Sequence, residues 1–333
     1  MAHDQAMTAT ALQACTAQLE ARLGPGRVTV DAPLAPLTTF KVGGPADFLL
    51  TVDSSGELSD AVRIARAHGV PVTVLGGGSN LLVADAGVKG LVVRLRRGDV
   101  QQIAVDAIRA DGGLTINGLV RWTITHGLAG LEAWAGTPGT VGGAIYGNAH
   151  FRGRNISEYV VRVRLMDRDG EVHDVTAQAM AFAYDYSRLH QTRELVVSAD
   201  FRVGRGGPEH LRAVARDSLA YRKRTQPLAL PSAGCIFQNP DPSREQVPDG
   251  IPCSAGALVD RAGLKGARSG GARVSPTHAN FIVNDAGASA ADIRALIERC
   301  KHEVWAQHGV RLREEIVSIG FEHPVPARGP AED

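Results

Sequence analysis

Two glycine-rich segments hold the residues of this chain best suited to gripping a small molecule. The first, Gly76-Gly77-Gly78-Ser79-Asn80-Leu81, follows the β-branched run Val72-Thr73-Val74 and reads as a buried strand entering a tight loop. Glycine admits positive φ and lets a ligand approach without a Cβ in the way, and successive N–H groups in such a turn form a nest for an anion. The second, Ala135-Gly-Thr-Pro-Gly-Thr-Val-Gly-Gly-Ala-Ile-Tyr-Gly-Asn148, puts five glycines and a proline into fourteen positions, which suits neither a regular helix nor an ordinary strand. A triple glycine alone is more often a structural turn. Two such segments together point to one extended ligand between them, with the phosphate end of a dinucleotide on the first and its ring end on the second.

The elements that must position these loops follow from hydrophobic pattern. Residues 1–24 read as a helix, with Leu12, Cys15, Leu19 and Leu23 at helical spacing and Gly24-Pro25-Gly26 at its end; it is an appendage to the chemistry. A strand at Asp47–Val52 leads to a helix opened by the capping pair Ser54 and Glu57. That helix carries Leu58, Ala61, Val62 and Ala65 and is closed by Gly69. The strand into the first glycine loop completes a βαβ unit, but the Gly-x-Gly-x-x-Gly fingerprint of a nicotinamide-binding domain is absent. Strands are expected at Leu91–Leu95 and Gln102–Ala110, and a helix at Leu114–His126.

The middle third alternates like antiparallel sheet. Val161, Val163 and Leu165 run to Asp169-Gly170, Val172 to Val175 follow as the return of a hairpin, and Val197, Ala199, Phe201 and Val203 repeat the alternation. Beyond Gly204-Arg205-Gly206-Gly207-Pro208 the pattern gives a helix at Glu209–Tyr221, irregular chain to about Pro252 and a short helix at Ser254–Ala262. A longer helix runs from Ser289 to Gly309, and the tail from Pro324 reads as disordered.

The chain has 333 residues and a formal net charge of +1, which makes no electrostatic case for nucleic acid or a membrane surface. Cys15, Cys235, Cys253 and Cys300 are too scattered for a metal-ligand pair or a disulfide framework, so no metal is expected. The N-terminus shows no basic leader and no run of eighteen apolar residues occurs, which gives the expectation of a cytoplasmic protein.

Seven segments in register carry a family resemblance. Thr39-Phe40-Lys41-Val42-Gly43-Gly44, Gly76-Gly77-Gly78-Ser79-Asn80-Leu81-Leu82 and Gly136-Thr137-Pro138-Gly139-Thr140-Val141-Gly142-Gly143-Ala144 resemble the UDP-N-acetylenolpyruvoylglucosamine reductases. So do Tyr221-Arg222-Lys223-Arg224-Thr225-Gln226-Pro227, Ser232-Ala233-Gly234-Cys235-Ile236-Phe237-Gln238-Asn239-Pro240, Ala262-Gly263-Leu264-Lys265-Gly266 and His278-Ala279-Asn280-Phe281-Ile282-Val283-Asn284. The match runs from about Ala32 to Gly320 and is closest to the shorter, second type of the family.

The resemblance implies an α+β protein with the vanillyl-alcohol-oxidase-like (PCMH-type) FAD-binding fold of two subdomains, 31–98 and 99–206. An α+β substrate-binding domain, 207–322, follows them; residues 1–30 form a helical appendage and 323–333 a tail. It implies non-covalent FAD against Gly76, Gly77, Gly78, Ser79, Asn80, Leu81, Thr137, Pro138, Gly139, Thr140, Gly143 and Ala144. NADPH reduces the flavin, and the enolpyruvyl ether of UDP-N-acetylglucosamine then accepts hydride at its terminal carbon and a proton at the adjacent one. A cytoplasmic monomer without nucleic-acid or membrane partners is expected.

The same resemblance places residues on that chemistry. Cys235 stands where the family has its proton-donating serine, a workable change because a thiol, with a reference pKa of about 8.5, releases a proton more readily than an aliphatic hydroxyl. Glu315 falls on the acid that polarises the substrate carboxylate, with Glu314 a rival that would face the other way on a strand. In the family's Tyr-Arg-x-Ser motif this chain reads Tyr184-Asp185-Tyr186-Ser187, so the arginine is replaced by a carboxylate of the wrong sign. Arg188 is taken as its substitute, with Arg152 and Arg154 as alternatives, and His150 replaces a usual glycine. Tyr184, Arg222, Lys223, Arg224, Gln226 and Asn239 are expected on the substrate. A flavoprotein of the same fold acting on another substrate, or one that has lost reductase activity, is the alternative.

Overall fold

The computed structural model describes residues 9–321; the start of the first predicted helix and the tail from Pro324 lie outside them. Helix α1 (Ala9–Leu23) buries Cys15 and Leu19 in a core shared with Leu58, Ala61 and Leu91. After it come β1 (Val28–Pro33), β2 (Pro45–Val52), α2 (Ser55–Ala67), β3 (Val72–Leu75), β4 (Leu81–Val83) and β5 (Val88–Leu95). Four of these strands form a sheet in the order β1-β2-β5-β3, with β5 parallel to both neighbours and β1 antiparallel at the edge. The continuous burial of Leu91, Val92 and Val93 is what a strand covered on both faces requires. At the start of α2 the Ser54 hydroxyl accepts from the Glu57 N–H, while the Glu57 carboxylate accepts from the Asp53 N–H and pairs with Arg27.

The second region holds β6 (Val100–Ala104), β7 (Ala107–Asp111), α3 (Ile116–Thr125), β8 (Leu128–Ala129), α4 (Val141–Tyr146), β9 (His150–Phe151) and β10 (Arg154–Asn155). It continues with β11 (Val160–Met166), β12 (Val172–Thr176), α5 (Leu189–Thr192), β13 (Leu195–Arg202) and β14 (Gly204–Arg205). Five of the strands make a fully antiparallel sheet in the order β12-β11-β13-β7-β6.

Two elements differ from the sequence expectation. The strand expected at Gln102–Ala110 is a hairpin: the outward positions Ile103 and Val105 (72 % exposed) and the core positions Ile108 and Ala110 have opposite parity, so the chain must turn between them. The second glycine segment is not wholly irregular, because Thr140 caps Gly143 and lets Val141–Tyr146 form one and a half turns of helix against β13.

The third region comprises α6 (Pro208–Thr225), α7 (Ala255–Arg261), β15 (Arg268–Ser269), β16 (Ala272–Val274), β17 (Ile282–Asn284), α8 (Ala290–His308) and β18 (Val317–Ile319). The small antiparallel sheet β15-β16-β17 packs on α8, whose inner face is Ile293, Leu296, Ile297, Cys300 and Val304. Ser289 and Asp292 form a capping box at its start, and Gly309, with φ +67°, ends it. The last strand, β18, crosses back to the first region and pairs in parallel with β4, Val317 opposite Leu81. Among the described residues no helix is long and apolar enough to cross a membrane.

Candidate active site

The two glycine loops touch each other. A Cβ built on Gly77 would lie 2.6 Å from the Gly139 Cα, one on Gly76 2.7 Å from the Thr140 Oγ1, and one on Gly139 2.6 Å from the Ser79 Oγ. Part of the glycine content that reads as ligand space therefore brings one backbone against the other. The contact joins the loop after β3 to the cap of α4, so the two sheets present their loops side by side.

Cys235 lies in a loop stitched to two other segments. The Ile236 N–H donates to the Asn280 carbonyl (2.8 Å), and the Asn280 side chain clamps Phe237, accepting from its N–H (2.9 Å) and donating to its carbonyl (2.8 Å). On the other side the Glu315 N–H donates to the Ile236 carbonyl (2.7 Å). Burial pushes the Cys235 thiol far above its ordinary range, the Glu315 and Asp185 carboxylates push the same way, and Arg222 and a hydrogen bond with Asn280 oppose them. The thiol is thus fully protonated at neutral pH. Cys15 and Cys300, on buried helix faces, are raised by burial to about 11 and about 12, while Cys253 is exposed.

Adjacent glutamates part company at the end of the chain. Glu314 is buried against α8, paired with Arg294 (2.7 Å) and Lys301. Glu315 faces the opposite way, and its charge is felt at Cys235, Tyr184 and His150. Asn80, expected on the cofactor, donates its side-chain amide to the Glu315 carbonyl (3.0 Å) while its own carbonyl accepts from Val317 (2.9 Å). The first glycine loop therefore sets the position of Glu315.

The structure does not bring Arg188 to this cluster. Its guanidinium is held by Glu194 (2.7 Å), which also meets His173, because the short helix α5 turns it toward the edge of the second sheet. Arg152 pairs with Asp217 (2.7 Å) and Arg154 reaches the Tyr159 hydroxyl (3.5 Å). Asp185 instead meets His150, Nδ1 to carboxylate oxygen 3.0 Å, with Asp185 buried and its backbone left-handed at φ +52°. The ligand-capable atoms of His150, Asp185 and Glu315 lie within 4.8 Å of one another, and the Tyr184 ring lies 4.9 Å from the imidazole. Burial works against charge on His150, but the hydrogen bond and charge of Asp185 and the charge of Glu315 outweigh it and raise its pKa.

The basic run at the end of α6 divides. Lys223 and Arg224 are exposed, whereas Arg222 is 7 % exposed, donates to the Thr137 hydroxyl (2.7 Å) and lies 3.8 Å over the Phe151 ring. Its Nε has no hydrogen-bond partner among the described residues, and burial lowers its pKa to about 10, so it remains a cation. A buried guanidinium on the second glycine segment without a carboxylate partner fits an anionic ligand. Asn239 is exposed; its N–H meets the Tyr184 hydroxyl (3.5 Å) and its side chain accepts from Ala255 at the start of α7 (3.1 Å). Gln226 is half-buried at the end of α6, beyond Arg222.

Residues 226–319 match the model of the UDP-N-acetylenolpyruvoylglucosamine reductase C-terminal domain, and residues 46–176 match an FAD binding domain. A UDP-N-acetylenolpyruvoylglucosamine reductase of Bacillus velezensis is 40% identical over 297 residues, 89% of this chain and 95% of the relative. One of Synechococcus is 39% identical over 321 residues, 95% of this chain and 97% of the relative. The chain belongs to the UDP-N-acetylenolpyruvoylglucosamine reductase family. The crystal structure of the reductase from Thermus caldophilus superposes with a TM-score of 0.70 at 33% identity, covering 88% of this chain and 98% of that one.

The chain is accordingly an FAD-dependent oxidoreductase, and its fold is the α+β FAD-binding architecture expected from the sequence. Three positioning groups escaped the sequence reading: Asn280, which holds the Cys235 loop; Asn80, in its contact with Glu315; and His150, as the partner of Asp185. The first two sit inside quoted motifs, but a motif does not say which atom bonds to which. His150 was visible as a histidine in place of glycine.

Proposed function

We propose that Cys235 and Glu315 carry out proton transfer and carboxylate polarisation on the enolpyruvyl ether of UDP-N-acetylglucosamine. The chain reduces that substrate to UDP-N-acetylmuramate, a peptidoglycan precursor, with NADPH as reductant. Gly76 to Leu81 together with Thr137, Pro138, Gly139, Thr140, Gly143 and Ala144 would hold FAD, which would supply the hydride that the terminal carbon of the enolpyruvyl group accepts. The carbon bearing the carboxylate then requires a proton. The Cys235 thiol gives it, since burial and two neighbouring carboxylates keep it protonated until a strong carbon base is presented. Glu315 polarises the substrate carboxylate by donating a hydrogen bond to it, in the protonated form that the approach of a second negative charge favours. Arg222, supported by the exposed Lys223 and Arg224, meets the diphosphate, and Tyr184, Gln226 and Asn239 line the substrate path.

The observation that carries this reading is the single hydrogen-bonded frame joining Ile236 to Glu315, which puts thiol and carboxylate within each other's field. The carboxylate at Asp185 favours a second reading, a flavoprotein of this fold whose acceptor is another compound. An anaerobic titration separates them. The protein, with FAD identified by its spectrum, is reduced with one equivalent of NADPH and mixed with UDP-N-acetylglucosamine enolpyruvate. Recovery of the oxidised flavin band with formation of UDP-N-acetylmuramate is expected; reduction without recovery would select the second reading. We take the reaction to be cytoplasmic, which the use of NADPH and a nucleotide-linked sugar supports, and the chain to act as a monomer, which sedimentation checks.

A further inference from the structure

Adding hydride to the terminal carbon moves the π pair of the enolpyruvyl group onto the carbon beside the carboxylate, so negative charge grows next to a charge already present. The site here holds two carboxylates of its own, Asp185 and Glu315, both felt at Cys235. Like charges about 4 Å apart repel by about 4 kcal/mol at an effective dielectric of about 20. A cation among them is therefore a chemical requirement. Arg188, Arg152 and Arg154 are engaged with Glu194, Asp217 and the Tyr159 hydroxyl, and Arg222, whose charge also reaches Cys235, is held by Thr137 and Phe151 and is already assigned to the diphosphate.

We propose that His150, oriented by Asp185, is the cation that receives the substrate's carboxylate. The inference rests on the proposed function and names a further catalytic residue for it, with Asp185 as a positioning residue. Two segments are built to hold the pair. His150 opens the β9-β10 hairpin, opposite Asn155, and the backbone is left-handed on both sides of it, at Asn148 (φ +46°) and Arg152 (φ +51°). Asn148 ties that hairpin to the Tyr184-Asp185 turn: its Nδ2 donates to the Ala183 carbonyl (2.8 Å), and its Oδ1 accepts from the Ser157 N–H (3.2 Å). Because Asp185 engages Nδ1, Nε2 is the atom presented to substrate.

The groups facing the imidazole are the Asp185 and Glu315 carboxylates and the Tyr184 ring, while Arg152 and Arg154 further along the hairpin turn to other partners. The two carboxylates favour the charged ring and burial disfavours it, with the balance above the ordinary histidine range. Carboxylate binding is then strongest while His150 is protonated and weakens as pH rises through its titration.

UDP-N-acetylmuramate, the product, retains the carboxylate and serves as the probe in equilibrium binding to the FAD-loaded protein between about pH 5.5 and 9. Wild type is expected to bind it more weakly as pH rises. His150→Gln weakens binding about tenfold at the low end and removes the pH dependence. His150→Arg keeps binding at the high end, and Asp185→Asn moves the wild-type midpoint to lower pH. The flavin absorption spectrum of each variant reports its folding, and if Asp185→Asn does not fold, the glutamine and arginine variants decide. Equal binding by His150→Gln and wild type across the range overturns the inference. So does binding that is lost on dialysis against EDTA and restored by Mn²⁺, which would make the three side chains ligands of a metal. A wild type that binds no UDP-N-acetylmuramate overturns the proposed function as well; a wild type that binds it beside an equally tight glutamine variant overturns this inference alone.

Discussion

Gly77 and Gly139 stand so close that a Cβ on the first would lie 2.6 Å from the Cα and 3.2 Å from the carbonyl carbon of the second. Neither atom belongs to a flexible side chain, so Gly77→Ala must part the loops. A loss of about 1–3 kcal/mol is expected, together with reduced FAD content in the purified protein. Gly56→Ala, in the first turn of α2 where the nearest atom is the Ser54 Oγ at 3.8 Å, is the control and is expected to be neutral or slightly stabilising. Thermal melts and flavin absorbance check both. Equal flavin content in Gly77→Ala and wild type would detach the loop contact from cofactor binding.

Cys235→Ser is expected to retain substantial turnover. Cys235→Ala still binds flavin and accepts hydride from NADPH but fails to reoxidise with the enolpyruvyl substrate. Stopped-flow absorbance separates the two half-reactions, and full activity in the alanine variant would remove Cys235 from the mechanism. Iodoacetamide gives an independent reading: Cys253 is modified first in the folded protein, and the buried Cys15 and Cys300 only after unfolding.

The two glutamates are expected to fail differently. Glu314→Gln breaks a buried pairing with Arg294 and Lys301 and costs about 3–5 kcal/mol, read as a lower melting temperature. Glu315→Gln keeps its melting temperature and slows substrate reduction by about 10²-fold. The reverse assignment of effects would return Glu314 to the site.

Acid stability should report on Asp200, which bridges Arg109 and Arg162 across the second sheet. Burial opposes its charge, but the two arginines outweigh burial and hold the carboxyl below its ordinary range. A lowered folded-state pKa contributes stability that is complete above the unfolded value and is lost as pH falls through the folded one. Asp200→Asn is expected to cost about 1–3 kcal/mol at neutral pH, and the gap from wild type narrows as pH drops from about 5 toward 2. Urea unfolding at a series of pH values measures it, and a constant gap would contradict the linkage.

The fold was legible wherever local chemistry and hydrophobic period agreed. Ser289 and Gly309 bracket α8, and Asp169-Gly170 turns the β11-β12 hairpin. Legibility failed where a tertiary contact overruled composition. Thr140 makes a helix of glycine-rich chain, and a parity break turned one expected strand into two. In the site, Cys235 and the basic segment were read from motifs, but which arginine of the run points inward depends on the rotation of α6 and on Thr137, 85 residues away. The destination of Arg188 depends likewise on Glu194 beyond the turn of α5, and the pairing of His150 with Asp185 on two loops that neither sequence neighbourhood describes.

The pairing of β18 with β4 also bears on biosynthesis. Asn80 leaves the ribosome long before the residues it must clasp, since 235 positions separate it from Glu315. Contacts of such long separation close late and slowly. A nascent chain therefore presents the glycine loops before Glu315 has been translated, and the contact between Asn80 and Glu315 closes only when the final strand docks.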